Sequence, residues 1–246
     1  MLRPLAFALA AAFAASSAAA AAAPAATPTK ALRTLVYSVR YSATSRNDEQ
    51  TSGFTGAGGA VSVGSATTTR TATTADDGTL TVAVIAATAD GGLVVDASFA
   101  GKKDAQPVIR VAILPDGRLS APPGAELSPA SRRVLPMLAR GVVAGRRIET
   151  GATWAIEAAE PARGRETFRV TAVDGDIATL DIDVSDVVPG PRGFDEHGKL
   201  VAVYDTARLR PTKFTYTGTA RHQAGLEQYV TMSLHLDATL VSDTFG

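Results

Sequence analysis

The stretch "TAVDGDIATL", residues 171–180, reads as a strand, a two-residue reversal and a returning strand. Asp174-Gly175 supplies the positive φ angles that a tight hairpin requires. Beyond the turn, Ala178, Leu180, Ile182 and Val184 take every second position, with Thr179, Asp181 and Asp183 between them. Before it, Phe168, Val170 and Ala172 follow the same rule. Alternation at period two sends one set of side chains to each face of a pleated strand. Strands joined by so short a turn lie antiparallel.

The same pattern recurs in both directions. Leu35, Tyr37, Val39 and Tyr41 share one side, as do Leu80, Val82, Val84 and Ala86. So do Leu93, Val95, Ala97 and Phe99, then Ile109, Val111 and Ile113, then Trp154, Ile156 and Ala158. Asp77-Gly78, Asp90-Gly91 and Asp116-Gly117 sit beside or between these runs, and His197-Gly198 and Ala224-Gly225 read as further reversals. Residues 51–60 read as a glycine-rich loop, 61–75 as a threonine-rich edge strand, and 187–198 as the longest loop. The expected fold is all-β: an antiparallel meander of eight to eleven strands, curved into a partial barrel or sandwich.

One segment departs from that rhythm. In "LSPASRRVLPMLARG", residues 127–141, Ser128 is placed to cap a helix and Pro129 to occupy its first position. Leu127, Val134, Leu135 and Leu138 share a stripe, with Arg132, Arg133 and Arg140 off it. Pro136 lacks an amide donor, so a kink or two short turns are expected. A lone helical insertion near 128–140 plugs an open end of the sheet or covers one face.

The last strand is unusually long. "YVTMSLHLDATLV", residues 229–241, sets Val230, Met232, Leu234, Leu236, Ala238 and Leu240 against a mostly polar side. Alternation from 226 to 240 spans roughly 50 Å when extended, so the strand must bend or run on as an arm. An outer-membrane barrel is disfavoured. Phe245 counts onto the side of His235, Asp237 and Asp243, and aromatics are too sparse for two interfacial girdles.

Composition sets the compartment expected. Residues 1–25 have a short basic start, an apolar core and an alanine-rich run, the pattern of a cleaved secretory signal. Residues 26–33 read as a flexible lead and 34–246 as a single β-rich domain. No second long apolar run follows, so no transmembrane span is expected in the mature chain. The 24 basic and 24 acidic residues balance, giving no field toward nucleic acid. With no cysteine there is no disulfide, no thiolate metal site and no lipid-bearing amino-terminal cysteine. The protein is expected to be exported, periplasmic or extracellular, and not lipid-anchored. The sequence sets no oligomeric state.

No catalytic, cofactor or metal residue is assigned. The three histidines, His197, His222 and His235, lack ligand spacing. Asp181, Asp183 and Asp186 lack the glycine turn and later bidentate acid of a calcium loop, and no Gly-x-Ser-x-Gly elbow occurs. The reading that remains is a non-enzymatic exported protein binding a hydrophobic ligand or lipid in a half-barrel cleft. Its candidate lining is Tyr37, Tyr41, Trp154, Met232 and Leu234, with Arg132, Arg133 and Arg140 as a candidate basic patch toward anionic headgroups. Two alternatives stand beside it. One is a structural or protein-interaction module of the cell envelope that pairs through 61–75. The other is a secreted hydrolase, which requires His222 or His235 beside buried carboxylates.

Overall fold

The computed structural model describes residues 30–57, 60–103, 105–157, 163–188, 194–225 and 228–245. The residues read as a signal, 1–25, lie outside these. Five strands precede the helical segment: β1 Arg33–Ala57, β2 Ala60–Ala87, β3 Leu93–Gly101, β4 Ala105–Ile113 and β5 Leu119–Ser120. Six follow it: β6 Thr153–Glu157, β7 Arg163–Asp174, β8 Ile177–Val188, β9 Phe194–Asp205, β10 Arg210–Gly225 and β11 Gln228–Phe245. All belong to one antiparallel sheet that does not close.

The strand order is not that of a simple meander. It runs β5-β4-β3-β2-β1-β11-β10-β9-β8-β7-β6. Two meanders are joined where β1 pairs with β11, so the first and last strands lie at the centre and β5 and β6 form the edges. Alternation specifies hairpins between neighbours in sequence. It carries no information about a pairing across the whole chain.

Helix α1, Pro129–Val134, connects the two edges together with 3₁₀ turns at Leu135–Leu138 and Arg140–Val142. Ser128 caps α1, its Oγ accepting from Ser131 N at 3.1 Å. Pro136 lies at the start of the first 3₁₀ turn, where the α-helical pattern ends. This short segment packs against β1, β3, β4 and β10 together, which requires the sheet to curve around it. Ala130, Val134, Leu135, Met137 and Leu138 are buried inside the curve.

The inner side chains match the alternation expected. Leu35, Tyr37, Val39 and Tyr41, then Leu80, Val82 and Val84, then Val95, Ala97 and Phe99 are buried, and join Ala178, Leu180, Ile182 and Val184 in one cluster. Full burial of each large apolar side chain contributes about 1.5–3 kcal/mol. Exceptions occur at bulges. Register shifts between Val84 and Ala86 and between Val170 and Ala172 break the count, leaving Ala172 exposed.

The same effect overturns one reading of the last strand. Val36 pairs with Ser242 while Tyr37 pairs with Leu240, so the register slips at Val241. Asp243 therefore stands opposite the buried Leu35, not on the side of His235 and Asp237. Three turn assignments also change. Residues 51–57 and 60 are strand rather than loop, and Asp77-Gly78 lies within β2. His197-Gly198 lies within β9. Asp90-Gly91, Asp116-Gly117 and Asp174-Gly175 do form turns, each glycine at positive φ. Of the 187–198 loop, 187–188 belong to β8 and 194–198 to β9; 189–193 lie outside the described residues.

Candidate functional site

The inner face is a series of rows running across the strands. Phe168, Ile182, Leu200, Tyr216, Leu236 and Tyr41 stand opposite one another from β7 to β1, and all are buried. The next row is Glu166, Val184, Gly198, Gly218, Leu234 and Ala43. The third is Gly164, Asp186, Glu196, Ala220, Met232 and Ser45. Across these rows the inner face passes out from beneath the helical segment. Leu236 is 0% exposed, Leu234 is half-buried, and Met232 is 46% exposed.

The second row is bare at its centre for a steric reason. The Tyr216 ring lies across Gly198 and Gly218, so a Cβ at Gly198 would sit 2.6 Å from Tyr216 Cζ. Tyr216 donates its hydroxyl to Glu196 Oε1 at 2.5 Å. The Arg133 guanidinium caps the ring 4.3 Å from its centroid and pairs with the same Glu196. Helix and sheet are thus joined through Tyr216, Glu196 and Arg133, and Tyr216 ionises above the ordinary tyrosine range because it is buried.

Beside this junction, where the sheet edges β5 and β6 approach the helical segment, lies a cleft of about 220 Å3. Leu119, Pro136, Ile156 and Val184 form its apolar walls, and Arg133, Glu166 and Asp186 reach it as well. Pockets that take a whole ligand measure about 300–1,000 Å3, and this space is smaller than that. Burial raises the Glu166 pKa, the Asp186 charge raises it further, and Arg133 opposes both. Asp186 Oδ1 is shut off from solvent and has no hydrogen-bond partner among the described residues. Arg118, also at the cleft, is neutralised by Asp116 at 2.6 Å.

The proposed lining residues are distributed over this face. Tyr37 is fully buried in the core, its hydroxyl donating to Pro211 O at 3.1 Å. Tyr41 is buried 6.1 Å from the Phe99 ring, and Trp154 stacks on Phe168 at 5.3 Å. Leu234 and Met232 stand at the rim. Of the three arginines, Arg133 turns inward while Arg132 and Arg140 remain exposed.

The histidines lie elsewhere. His235 Nδ1 is 3.1 Å from Thr217 Oγ1, and its Nε2 is 3.1 Å from Asp237 Oδ2. Thr215 donates to Asp237 Oδ1 at 2.7 Å. Burial opposes ionisation of Asp237, yet these hydrogen bonds outweigh it and hold the carboxyl below the usual range. The chain has the order hydroxyl, imidazole, carboxylate, but on the outer face, with the His235 and Asp237 side chains 48% and 42% exposed. The buried carboxylate that a hydrolase reading requires is not the one His235 meets. His222 stands opposite Val230 and His235 opposite Thr217, so the two do not meet. His197 pairs with Asp195 in solvent at 2.9 Å.

Glu166 and Glu196 were not singled out from sequence, and Asp186 was weighed there only as part of a calcium loop and set aside. Counting by twos from Phe168 places Glu166 on the inward side, and counting from Ile182 and Val184 does the same for Asp186. Carboxylates at inward positions were the available signal. Glu196 offered none, because its segment reads as a turn. No protein-family model matches the chain, and no curated protein matches it in sequence.

Proposed function

We propose that this chain is an exported, non-enzymatic binding protein. It holds a single-chain amphiphile with an ammonium head group at the mouth of its curved sheet. One observation carries the reading: the inner apolar stripe of β11 outruns the helical segment, leaving Met232 46% exposed in line with the buried Leu236. An apolar stripe that runs on from the core to the surface supports a binding surface at that end.

The head-group chemistry follows from charge. Arg133 answers Glu196, whereas no ion pair to Asp186 occurs among the described residues, and one of its oxygens has no partner. Asp186 and Met232 share a row three strands apart, roughly 14 Å at the usual strand spacing. A head group at Asp186 therefore lays its tail over Ala220 toward Met232. The alanine-rich leader supports export.

Isothermal titration of the purified protein with dodecylamine, dodecanoate and butylamine tests the assignment. Dodecylamine is expected to bind, dodecanoate more weakly, and butylamine, which lacks the tail, not measurably. Equal binding of the amine and the carboxylate removes the head-group assignment. No binding by either long-chain compound overturns the function.

A further inference from the structure

The molecule manages most of its sheet edges. Strand β5 has two residues and β6 has five, and β4 carries Pro107 on its outer part. Strand β2 is different. Its ladder to β3 begins at Gly78, opposite Gly101, so residues 60–76 have only β1 as a neighbouring strand, while Lys102 N and Lys103 Nζ take Asp77 O and Ala75 O at the end of the span. Asp76 enforces this ending. Buried at 4% exposure, its carboxylate accepts from the backbone amides of Asp77, Lys102 and Lys103 and turns the chain away from β2.

The direction of the unpaired backbone groups follows from the neighbouring bonds. Lys102 N donates to Asp77 O at 3.1 Å, so odd-numbered residues of this stretch face the β3 side. Ser45 donates to Ala72 O from the β1 side, so even-numbered residues face inward to β1. Thr67, Thr69, Thr71 and Thr73 thus present their N–H and C=O groups to the open edge, in the longest such run among the described residues. Between 67 and 75 the only charged residue is Arg70.

We infer that this edge is a self-association surface, on which a second copy of the chain pairs antiparallel through residues 60–76 and forms a symmetric dimer. Four features favour a second copy over another partner. The free span is bounded in every copy at Asp77, whose carbonyl accepts from Lys102 N, so two arms overlap fully only when the two-fold axis lies near the middle of that span. Thr69 is an outward-facing residue within one position of that midpoint. Thr69 then faces its own mate, Thr67 faces Thr71, and threonine pairs are favourable cross-strand neighbours. Arg70 faces Thr68, so the lone cation is never set directly against itself. A closed two-fold pairing also consumes both edges and prevents runaway addition of strands.

Sedimentation equilibrium of the purified protein is expected to give twice the chain mass. Thr69→Pro removes one outward amide and leaves the ladder to β1 intact; combined with Thr71→Pro it is expected to yield a monomer with an unchanged far-ultraviolet spectrum. A wild-type monomer overturns the inference, and so does a dimer that persists in the folded proline variant. If that variant does not fold, the absence of native cysteine allows a second measurement. Thr69→Cys is expected to form an intermolecular disulfide on oxidation, while Val241→Cys, exposed at the far end of β11, stays monomeric. Failure of Thr69→Cys to crosslink, or equal crosslinking by both, refutes the pairing. Amphiphile binding is read separately, so loss of the dimer leaves the proposed function untouched.

Discussion

Arg33 Nε donates to Asp243 Oδ1 at 2.8 Å, clasping the first strand to the last across 210 residues of sequence. Asp243 is 4% exposed at its side chain and also meets Arg210 Nη1 at 2.5 Å. The hydrogen bond from Arg33 is the main cause that holds the Asp243 carboxyl below the usual range, with the charges of Arg33, Arg210 and Arg208 adding to it. A carboxylate whose folded pKa is depressed stabilises above its unfolded pKa, and that stability is lost as pH falls toward the folded value. Asp243→Asn leaves two inward guanidinium groups without their counter-ion and is expected to lower unfolding free energy by about 3 kcal/mol. Urea denaturation at neutral pH measures this. The gap between wild type and variant should narrow as pH drops below about 4, the unfolded aspartate range.

The Tyr216 ring lying over Gly198 and Gly218 makes those two glycines steric requirements. Gly218→Ala places a Cβ 2.5 Å from Tyr216 Cζ, forces the ring away from Glu196 and is expected to destabilise by about 1–3 kcal/mol. Tyr216→Phe keeps the ring under Arg133 and loses only the hydroxyl bond, for about 1.5 kcal/mol. In a Tyr216→Ala background Gly218→Ala should be nearly neutral. A double-mutant cycle from thermal denaturation checks the coupling; additive losses would contradict this packing.

Within each half of the sheet the strands were legible because Phe168, Leu180, Val95 and their neighbours obey a two-residue period and Gly175 marks its turn. Ser128 and Pro136 likewise announced a capped helix that stops short. The pairing of β1 with β11 was not legible, because nothing local to Tyr37 or Ala238 names a strand two hundred residues away. Bulges were the second obscuring factor. One extra residue at Val241 moved Asp243 from the apparent wet side to the interior. Dipeptide signals failed where both flanking strands were strong, as at Asp77-Gly78, since local turn preference yields to a ladder of cross-strand bonds. The proposed rim was half legible: Met232 and Leu234 lie on the inward side that alternation gives them, but alternation does not say which of them is covered.

Glu166 has the opposite sign to Asp243. Burial raises its pKa, with Asp186 adding and Arg133 opposing. The neutral form is therefore favoured in the folded state, so its contribution is fully present below the unfolded pKa and is lost as pH rises through the folded value. Glu166→Gln removes this ionisation while keeping size and polarity. The variant is expected to match wild type at pH 4 and to melt at a higher temperature at pH 8. Calorimetry across that range reads the difference, and a variant that loses stability at pH 8 would mean that the charged form is the one the cleft stabilises.

Met232 separates binding from folding. At 46% exposure it contributes little to the core, so Met232→Asp is expected to alter stability by no more than about 0.5 kcal/mol. The same change places a charge where the proposed tail rests. Losing that apolar contact should weaken dodecylamine binding about tenfold or more. Leu234→Asp, by contrast, is expected to destabilise the fold itself, because Leu234 packs against the buried cluster. Val241→Asp, at a residue 67% exposed and far along β11, should change neither quantity. Titration calorimetry on the three variants, each first checked by thermal melt, gives the comparison. Undiminished affinity in folded Met232→Asp would remove the rim from the binding site and with it the reason for the exposed end of the stripe.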